Sequence, residues 1–465
     1  MPDLDRIADK KLAGMVVEGG RLRALVLELW QRTRMDWGFV TDRLATTFRK
    51  ETWIGSHDRR FVGETLYGLV RHLRRVDAAI ARGRKVSKPP RDIERLLALL
   101  VLERLIDPAK AAREAPDIDW RAVSTIDEAI AGERKLVARI ALSASLPDWL
   151  ARMLVDEWGD EAEPLALALN QRAPMTVRAN TLVGDRAALA AELAGEELRT
   201  KPAAWCDTAL HIESRTNLFG TAAFQRGAME AQDEGSQLLA DLATGGLATK
   251  SPTVVDLCAG AGGKTLAIAA RLGNRGRIVA TDIDTRKLDE LRKRARRATV
   301  SNTRAIELDA EWRARTSGGA TVGQTGWPAA LDELRGAADV VFVDAPCSGI
   351  GALRRNPEAR WRLREDDLPT FAARQREILE GARHLLAPGG RLIYGTCTLL
   401  KVENEDVSDA LLAAHDDLEH VPLADILGDR ASQFARADAF TVTPLRHNTD
   451  GFYARVMRRR PAPAP

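Results

Sequence analysis

Val254-Val255-Asp256-Leu257-Cys258-Ala259-Gly260-Ala261-Gly262-Gly263-Lys264 reads as a short buried strand that runs into a glycine turn and opens a helix. Valine favours the pleated strand, and glycine lets a backbone turn sharply and approach a ligand closely. The same grammar recurs downstream. Strands are predicted over 253–257, 277–281, 304–308, 339–343 and 391–396, and helices over 264–272, 285–298 and 371–386. That alternation specifies an α/β fold, a Rossmann-like, doubly wound parallel sheet. Ligands of such sheets lie beyond the carboxyl ends of the strands.

Two of those strand ends carry a thiol. Val340-Val341-Phe342-Val343 leads into Asp344-Ala345-Pro346-Cys347-Ser348-Gly349, and Arg391-Leu392-Ile393-Tyr394 leads into Gly395-Thr396-Cys397-Thr398. A single cysteine is most often a small buried hydrophobe. Two thiols in tight turns at two strand ends are expected to face one pocket. Cys206 and Cys258 are read as non-nucleophilic, with Cys258 lining the glycine loop.

The loop itself, Cys258, Ala259, Gly260, Ala261, Gly262, Gly263 and Lys264, is too short for a phosphate loop of the GxxxxGK[ST] type, and no pyrophosphate-reading GxGxxG is complete. A dehydrogenase turn or a merely tight strand–helix turn would look similar. The next strand, Ile278-Val279-Ala280-Thr281-Asp282, ends in an acid at about the 20-residue spacing of a ribose-hydroxyl acceptor. The third ends in Glu307-Leu308-Asp309, where Asp309 is placed for an adenine amino group. Ribose and base without phosphate point to S-adenosylmethionine. A thiolate suits that cofactor if the acceptor is carbon 5 of cytosine, because addition at carbon 6 makes carbon 5 nucleophilic. Asp344, three residues before Cys347, is expected beside ring nitrogen 3, protonated in apolar surroundings.

With 465 residues the chain is long enough for about three domains, and 45% hydrophobic with 29% charged residues is a globular composition. No apolar run reaches the roughly 20 residues of a membrane span. The N-terminus lacks the basic and apolar regions of a secretory signal. Four cysteines make no disulfide framework, so a reducing cytoplasm is expected. Seven scattered histidines without CxxC argue against a metal. The net charge of +3 says little about nucleic acid, but local clusters say more. Arg71, Arg74, Arg75, Arg82, Arg84, Lys85 and Lys88 crowd one stretch. A second cluster spans 286–297, and Arg354, Arg355, Arg360, Arg362 and Arg364 follow Cys347. Each alone is ordinarily a solvated face; together they favour an RNA partner, with Arg71, Arg74, Arg75, Arg354 and Arg355 as candidate contacts.

Residues 1–145 carry helical periodicity. Residues 146–230 read as a linker helix and a small α+β unit, and residues 231–458 as the catalytic sheet. Residues 459–465 read as a disordered basic tail. Thr316 to Gly326 reads as a glycine-rich surface insertion.

The pair Asp344-Ala345-Pro346-Cys347-Ser348-Gly349 and Thr396-Cys397, followed by Glu403-Asn404-Glu405, resembles the bacterial RNA 5-methylcytosine methyltransferases of the ribosomal RNA small subunit methyltransferase B / nucleolar NOL-NOP-Sun type. Arg354-Arg355-Asn356-Pro357-Glu358, Asp450-Gly451-Phe452-Tyr453-Ala454, Gln232-Asp233-Glu234-Gly235-Ser236-Gln237 and Arg178-Ala179-Asn180-Thr181 extend the likeness over nearly the whole chain. The resemblance implies that Cys397 attacks, Cys347 helps release the product and Asp344 contacts the base. It implies that Cys258 to Lys264, Asp282 and Asp309, with Asp344, hold S-adenosylmethionine. Asp58-Arg59-Arg60-Phe61-Val62 and Leu66-Tyr67-Gly68-Leu69-Val70-Arg71 are similar to the NusB-like RNA-binding domain of some members. Ala261 stands where the family usually has proline, and Thr398 where it has serine. The expected protein is a monomeric RNA cytosine-5 methyltransferase acting on ribosomal RNA. The alternatives are a transfer or other RNA as substrate, or a non-catalytic RNA-binding assembly factor. A DNA cytosine methyltransferase would lack the Thr396-Cys397 partner.

Overall fold

The computed structural model describes residues 3–214, 217–308 and 329–461. Asp309 and the segment 316–326 lie outside the described residues, as do residues 462–465 of the expected tail. The chain forms two compact units, residues 1–172 with 352–365, and residues 173–351 with 366–465. The first runs past the expected boundary at 145 and recruits a segment from within the catalytic sequence.

The first unit is helical. Its longest helix, Ser56–Gly83, buries Phe61, Leu66, Leu69, Val70, Val76 and Ile80 along one stripe. Pro89-Pro90 breaks the chain before the apolar helix Asp92–Leu102, as proline's missing N–H requires. Arg360 is fully buried here. Its Nη1 donates to Ala144 O and Asn170 Oδ1, each at 2.9 Å, and burial pulls its pKa down to about 9.

The second unit holds two sheets. The smaller pairs β1 (Met175–Ala179), β2 (Thr200–Pro202), β3 (Ala209–Ile212) and β4 (Met229–Ala231) antiparallel, in the order β2-β3-β1-β4. The larger contains β5 (Thr253–Asp256), β6 (Arg277–Asp282), β7 (Thr303–Glu307), β8 (Ala338–Asp344) and β9 (Leu386–Thr396). All five predicted strands are present, and they run parallel in the order β9-β8-β5-β6-β7. The helices Gly263–Arg271, Thr285–Arg297 and Leu368–Leu385 match those predicted within a few residues.

The sheet does not end there. β10 (Leu418–His420), β11 (Ala435–Arg436), β12 (Ala439–Val442) and β13 (Phe452–Arg459) extend it antiparallel beyond β9. Three of these have only two to four residues, too few to show a period of two. β13 runs through Arg459, whose Nη1 donates to Leu386 O at 2.8 Å. The tail expected from 459 thus begins inside a strand.

From β5 the chain winds outward through β6 and β7, then returns to the other side of β5 as β8. The strand order reverses between β5 and β8, which is where an open α/β sheet leaves its crevice.

Candidate active site

A cavity of about 870 Å³ opens at that reversal. Its wall joins the loop Cys258 to Lys264, the β6 end at Asp282, the turn Asp344 to Cys347, and Cys397. Gly262 is absent from this wall and serves the loop's shape. It has φ +85° before the helix Gly263–Arg271, and a Cβ there would lie 2.6 Å from Leu291 Cγ. Gly260 is also left-handed, at φ +55°, but a Cβ on it or on Gly263 would meet nothing within 4 Å. Their bareness serves the space over the loop, a cradle that a side chain would fill.

The acids around the cradle have distinct jobs. Asp282 braces the loop, its Oδ2 accepting from Gly260 N at 2.9 Å and its Oδ1 from Asp284 N at 2.8 Å. Each oxygen retains a lone pair for a further donor. Asp256, at the end of β5, is fully buried. Thr265 Oγ1 donates to its Oδ2 at 2.6 Å, while its Oδ1 has no partner. Burial pushes its pKa up to about 7, against the hydrogen bond from Thr265. The sequence pattern places Asp256 in a strand; its position two residues before Cys258, the start of the loop, was the available signal.

Lys264 turns away from any phosphate-binding role. Its Nζ lies 2.6 Å from Asp344 Oδ2. Burial pulls the ammonium's pKa down, but the charge and hydrogen bond of Asp344 outweigh it, and the net shift is upward. Asp344 therefore faces a cation and not the expected apolar surroundings.

The two thiols meet. Cys347 Sγ and Cys397 Sγ are 3.3 Å apart, and both are free cysteines. The hydrogen bond with Cys397, and then burial, raises the Cys347 pKa well above its ordinary value. Either sulfur can donate to the other across this contact. Burial likewise raises Cys258, on the cavity wall, and Cys206, in the core.

The candidate RNA contacts are built differently. Arg71 donates to Arg354 O at 3.0 Å. Arg74 donates to Leu146 O at 2.8 Å and to Asp148 Oδ1 at 2.6 Å. Arg75 grips both oxygens of Asp127, at 2.7 and 2.6 Å. Arg354 is 4% exposed and donates to Arg172 O at 2.9 Å. The backbone N–H of Arg355 closes a turn on Ala352 O. Four of the five expected contacts thus spend guanidinium donors on the helical unit itself.

Among the described residues, no three His, Cys, Asp or Glu cluster so as to hold a metal ion. No helix among them is long and apolar enough to cross a membrane.

Residues 247–458 match the family model for 16S rRNA methyltransferase RsmB/F, and residues 146–218 match the model for the RsmF/B-like ferredoxin-like domain. The chain is 31% identical over 327 residues to the probable ribosomal RNA small subunit methyltransferase B of Bacillus subtilis, covering 70% of this chain and 68% of that protein. It is 28% identical over 427 residues to the Synechocystis protein of the same name, covering 86% and 91%. Its fold is similar to that of NSun6 from Pyrococcus horikoshii solved with SFG, with a TM-score of 0.55 and 19% identity over 67% of this chain and 98% of that one.

Proposed function

This chain belongs to the 16S rRNA methyltransferase RsmB/F family, and we propose that it methylates carbon 5 of cytosine in ribosomal RNA through a covalent cysteine–cytosine adduct. The observation that carries this reading is the thiol pair, 3.3 Å apart, on the wall shared with the glycine loop. When bound, S-adenosylmethionine supplies a sulfonium methyl group. The cradle at Gly260 and Gly263 has room for it, Asp282 has lone pairs left for a ribose diol, and Asp256 Oδ1 is a free acceptor for an ammonium group.

Cys397, as thiolate, adds to carbon 6 of cytosine. A carbon–sulfur bond forms, and the displaced π pair makes carbon 5 the nucleophile that takes the methyl group. Asp344 accepts from the exocyclic amino group, and Lys264, 2.6 Å from its Oδ2, holds the carboxylate in place. Once Cys397 is bonded to carbon, its hydrogen bond to Cys347, the largest of the effects that raise the Cys347 pKa, is lost. Cys347 then releases its proton to solvent and, as thiolate, takes the proton from carbon 5. The carbon–sulfur bond breaks, and Cys397 leaves as thiolate to accept again from Cys347.

The helical unit enters this reading as a NusB-like RNA-binding module that meets phosphate through exposed cations such as Lys85. Four free cysteines suit the reducing cytoplasm in which we place the protein.

Cys397→Ala is expected to abolish methyl transfer. Cys347→Ala is expected to trap an RNA–protein adduct visible on a denaturing gel. Adduct formation through Cys347 that persists in Cys397→Ala would reverse the two roles. Bisulfite sequencing of total RNA from a strain lacking the protein, against its parent, identifies the cytosine; an unmethylated transfer-RNA position instead of a ribosomal one would reassign the substrate.

A further inference from the structure

The loops that carry the two thiols lie 50 residues apart in sequence, and one buried carboxylate sits between them. Glu403 is fully buried and stands outside the cavity wall. Its Oε1 accepts from Ser348 N, the residue after Cys347, at 2.9 Å. The same oxygen accepts from Gln375 Nε2 at 3.0 Å. That Nε2 also donates to Pro346 O, the residue before Cys347, at 3.0 Å. Cys347 is thus bracketed on both sides.

The Cys397 side is held by the same short turn. The backbone carbonyl of Glu403 accepts from the hydroxyl of Tyr394, on β9. The neighbouring Asn404 accepts from Thr396 Oγ1 at 2.6 Å and donates to Thr398 O at 3.2 Å, flanking Cys397 before and after. Ser348 Oγ and Thr398 Oγ1, 2.9 Å apart, close the ring.

We propose that Glu403 is a positioning residue that fixes the gap between Cys347 and Cys397. The proposal rests on the reading of these sulfurs as the reactive pair. Glu403 touches neither base nor cofactor and acts through Ser348 N. Its consequence for the reaction is specific: Cys347 must reach the carbon next to the one bonded to Cys397, so a loosened gap impairs release more than attack.

The gap can be measured without RNA. Diamide oxidises two neighbouring thiols to a disulfide, taking two electrons and two protons into its N=N bond, and the rate reads how often the sulfurs meet. Wild type is expected to lose two titratable thiols together, and rapidly. Glu403→Ala is expected to cross-link several-fold more slowly and to lose about tenfold or more in kcat, as misplacement of a reacting group by a fraction of an ångström does. KM for RNA and for S-adenosylmethionine should stay put, and adduct should accumulate. Glu403→Gln keeps the acceptor for Ser348 N and alters only the oxygen that has no partner, so it is expected to restore both rates; a merely structural loss would not be rescued in this pattern. If Glu403→Ala does not fold, Gln375→Ala removes the bracket at Pro346 and reads the same gap. A folded Glu403→Ala with wild-type cross-linking and kcat, or a Glu403→Gln as slow as the alanine variant, overturns the proposal. Slowed cross-linking in a protein whose wild type methylates no RNA would leave the positioning role standing and remove the functional reading instead.

Discussion

The arginines of the helical unit and the polar groups of the cavity show opposite uses of charge. Arg75 has both oxygens of Asp127, and Arg360 is wrapped in carbonyls. In the cavity, Asp256 Oδ1 has no partner, and two glycines hold space that no protein atom fills. A cluster of like charges in sequence is therefore a poor guide to a binding face, because each charge is free to find a partner distant in sequence. A polar atom left unmatched is a better one where it also lines a cavity, as Asp256 does, whereas the unmatched Arg360 Nη2 lies in the helical core.

The largest effect is expected at Arg360. Arg360→Leu leaves several buried carbonyls without donors, and about 3 kcal/mol of stability should be lost at 1–3 kcal/mol per orphaned group, part of it offset by removal of a buried charge. Thermal unfolding of the purified variant reads this; an unchanged midpoint would mean that the helical unit does not depend on its buried arginine. Gly262→Ala comes next. Its Cβ would strike Leu291, and its φ is left-handed, so about 1–3 kcal/mol of strain falls on the loop. Calorimetry with S-adenosylmethionine should show weakened binding, whereas tight binding would show that the loop shifts freely.

Burial raises Asp256 to about 7, so the folded protein holds this proton more tightly than the unfolded chain does. Its contribution to stability is therefore full below the unfolded carboxyl range and is lost as pH rises through about 7. Cofactor affinity should move the other way, because only the carboxylate pairs with an ammonium. Between pH 8 and pH 6, S-adenosylmethionine should weaken up to about tenfold, and Asp256→Asn should flatten the profile. A flat wild-type profile would remove Asp256 from the cofactor site. The smallest effect is expected at Arg75→Gln. This half-exposed pair contributes about 1 kcal/mol or less, and the salt dependence of RNA binding should not change, because no phosphate contact is lost. A flattened salt slope would return Arg75 to the RNA interface.

Much of the site was legible because its signals are local. The five parallel strands, the glycine turn and both thiol turns are each carried by fewer than a dozen consecutive residues. Asp282 and Asp344 were placed by the strands that end in them. The partners of those groups were not legible. Lys264 sits in a segment that mimics a phosphate loop, and only its 80-residue reach to Asp344 shows its use. The role of Asp256 looked like strand polarity, and the antiparallel strands β10 to β13 were too short or irregular to stand out. Glu403 was visible only as part of a motif, since its contact with Ser348 spans 55 residues.

Sequence by itself determined the alternation of strand and helix, the strand ends that carry chemistry and the presence of two free thiols. These follow from backbone preference and hydrophobic period, which act over a few residues. Tertiary structure alone decided that the thiols touch, that Lys264 pairs with Asp344, that Glu403 ties the two turns together and that Arg71, Arg74 and Arg75 find partners within the helical unit. Hydrogen bonds and ion pairs form between whatever groups packing brings within about 3 Å, and packing is settled by the whole core, not by any stretch of chain.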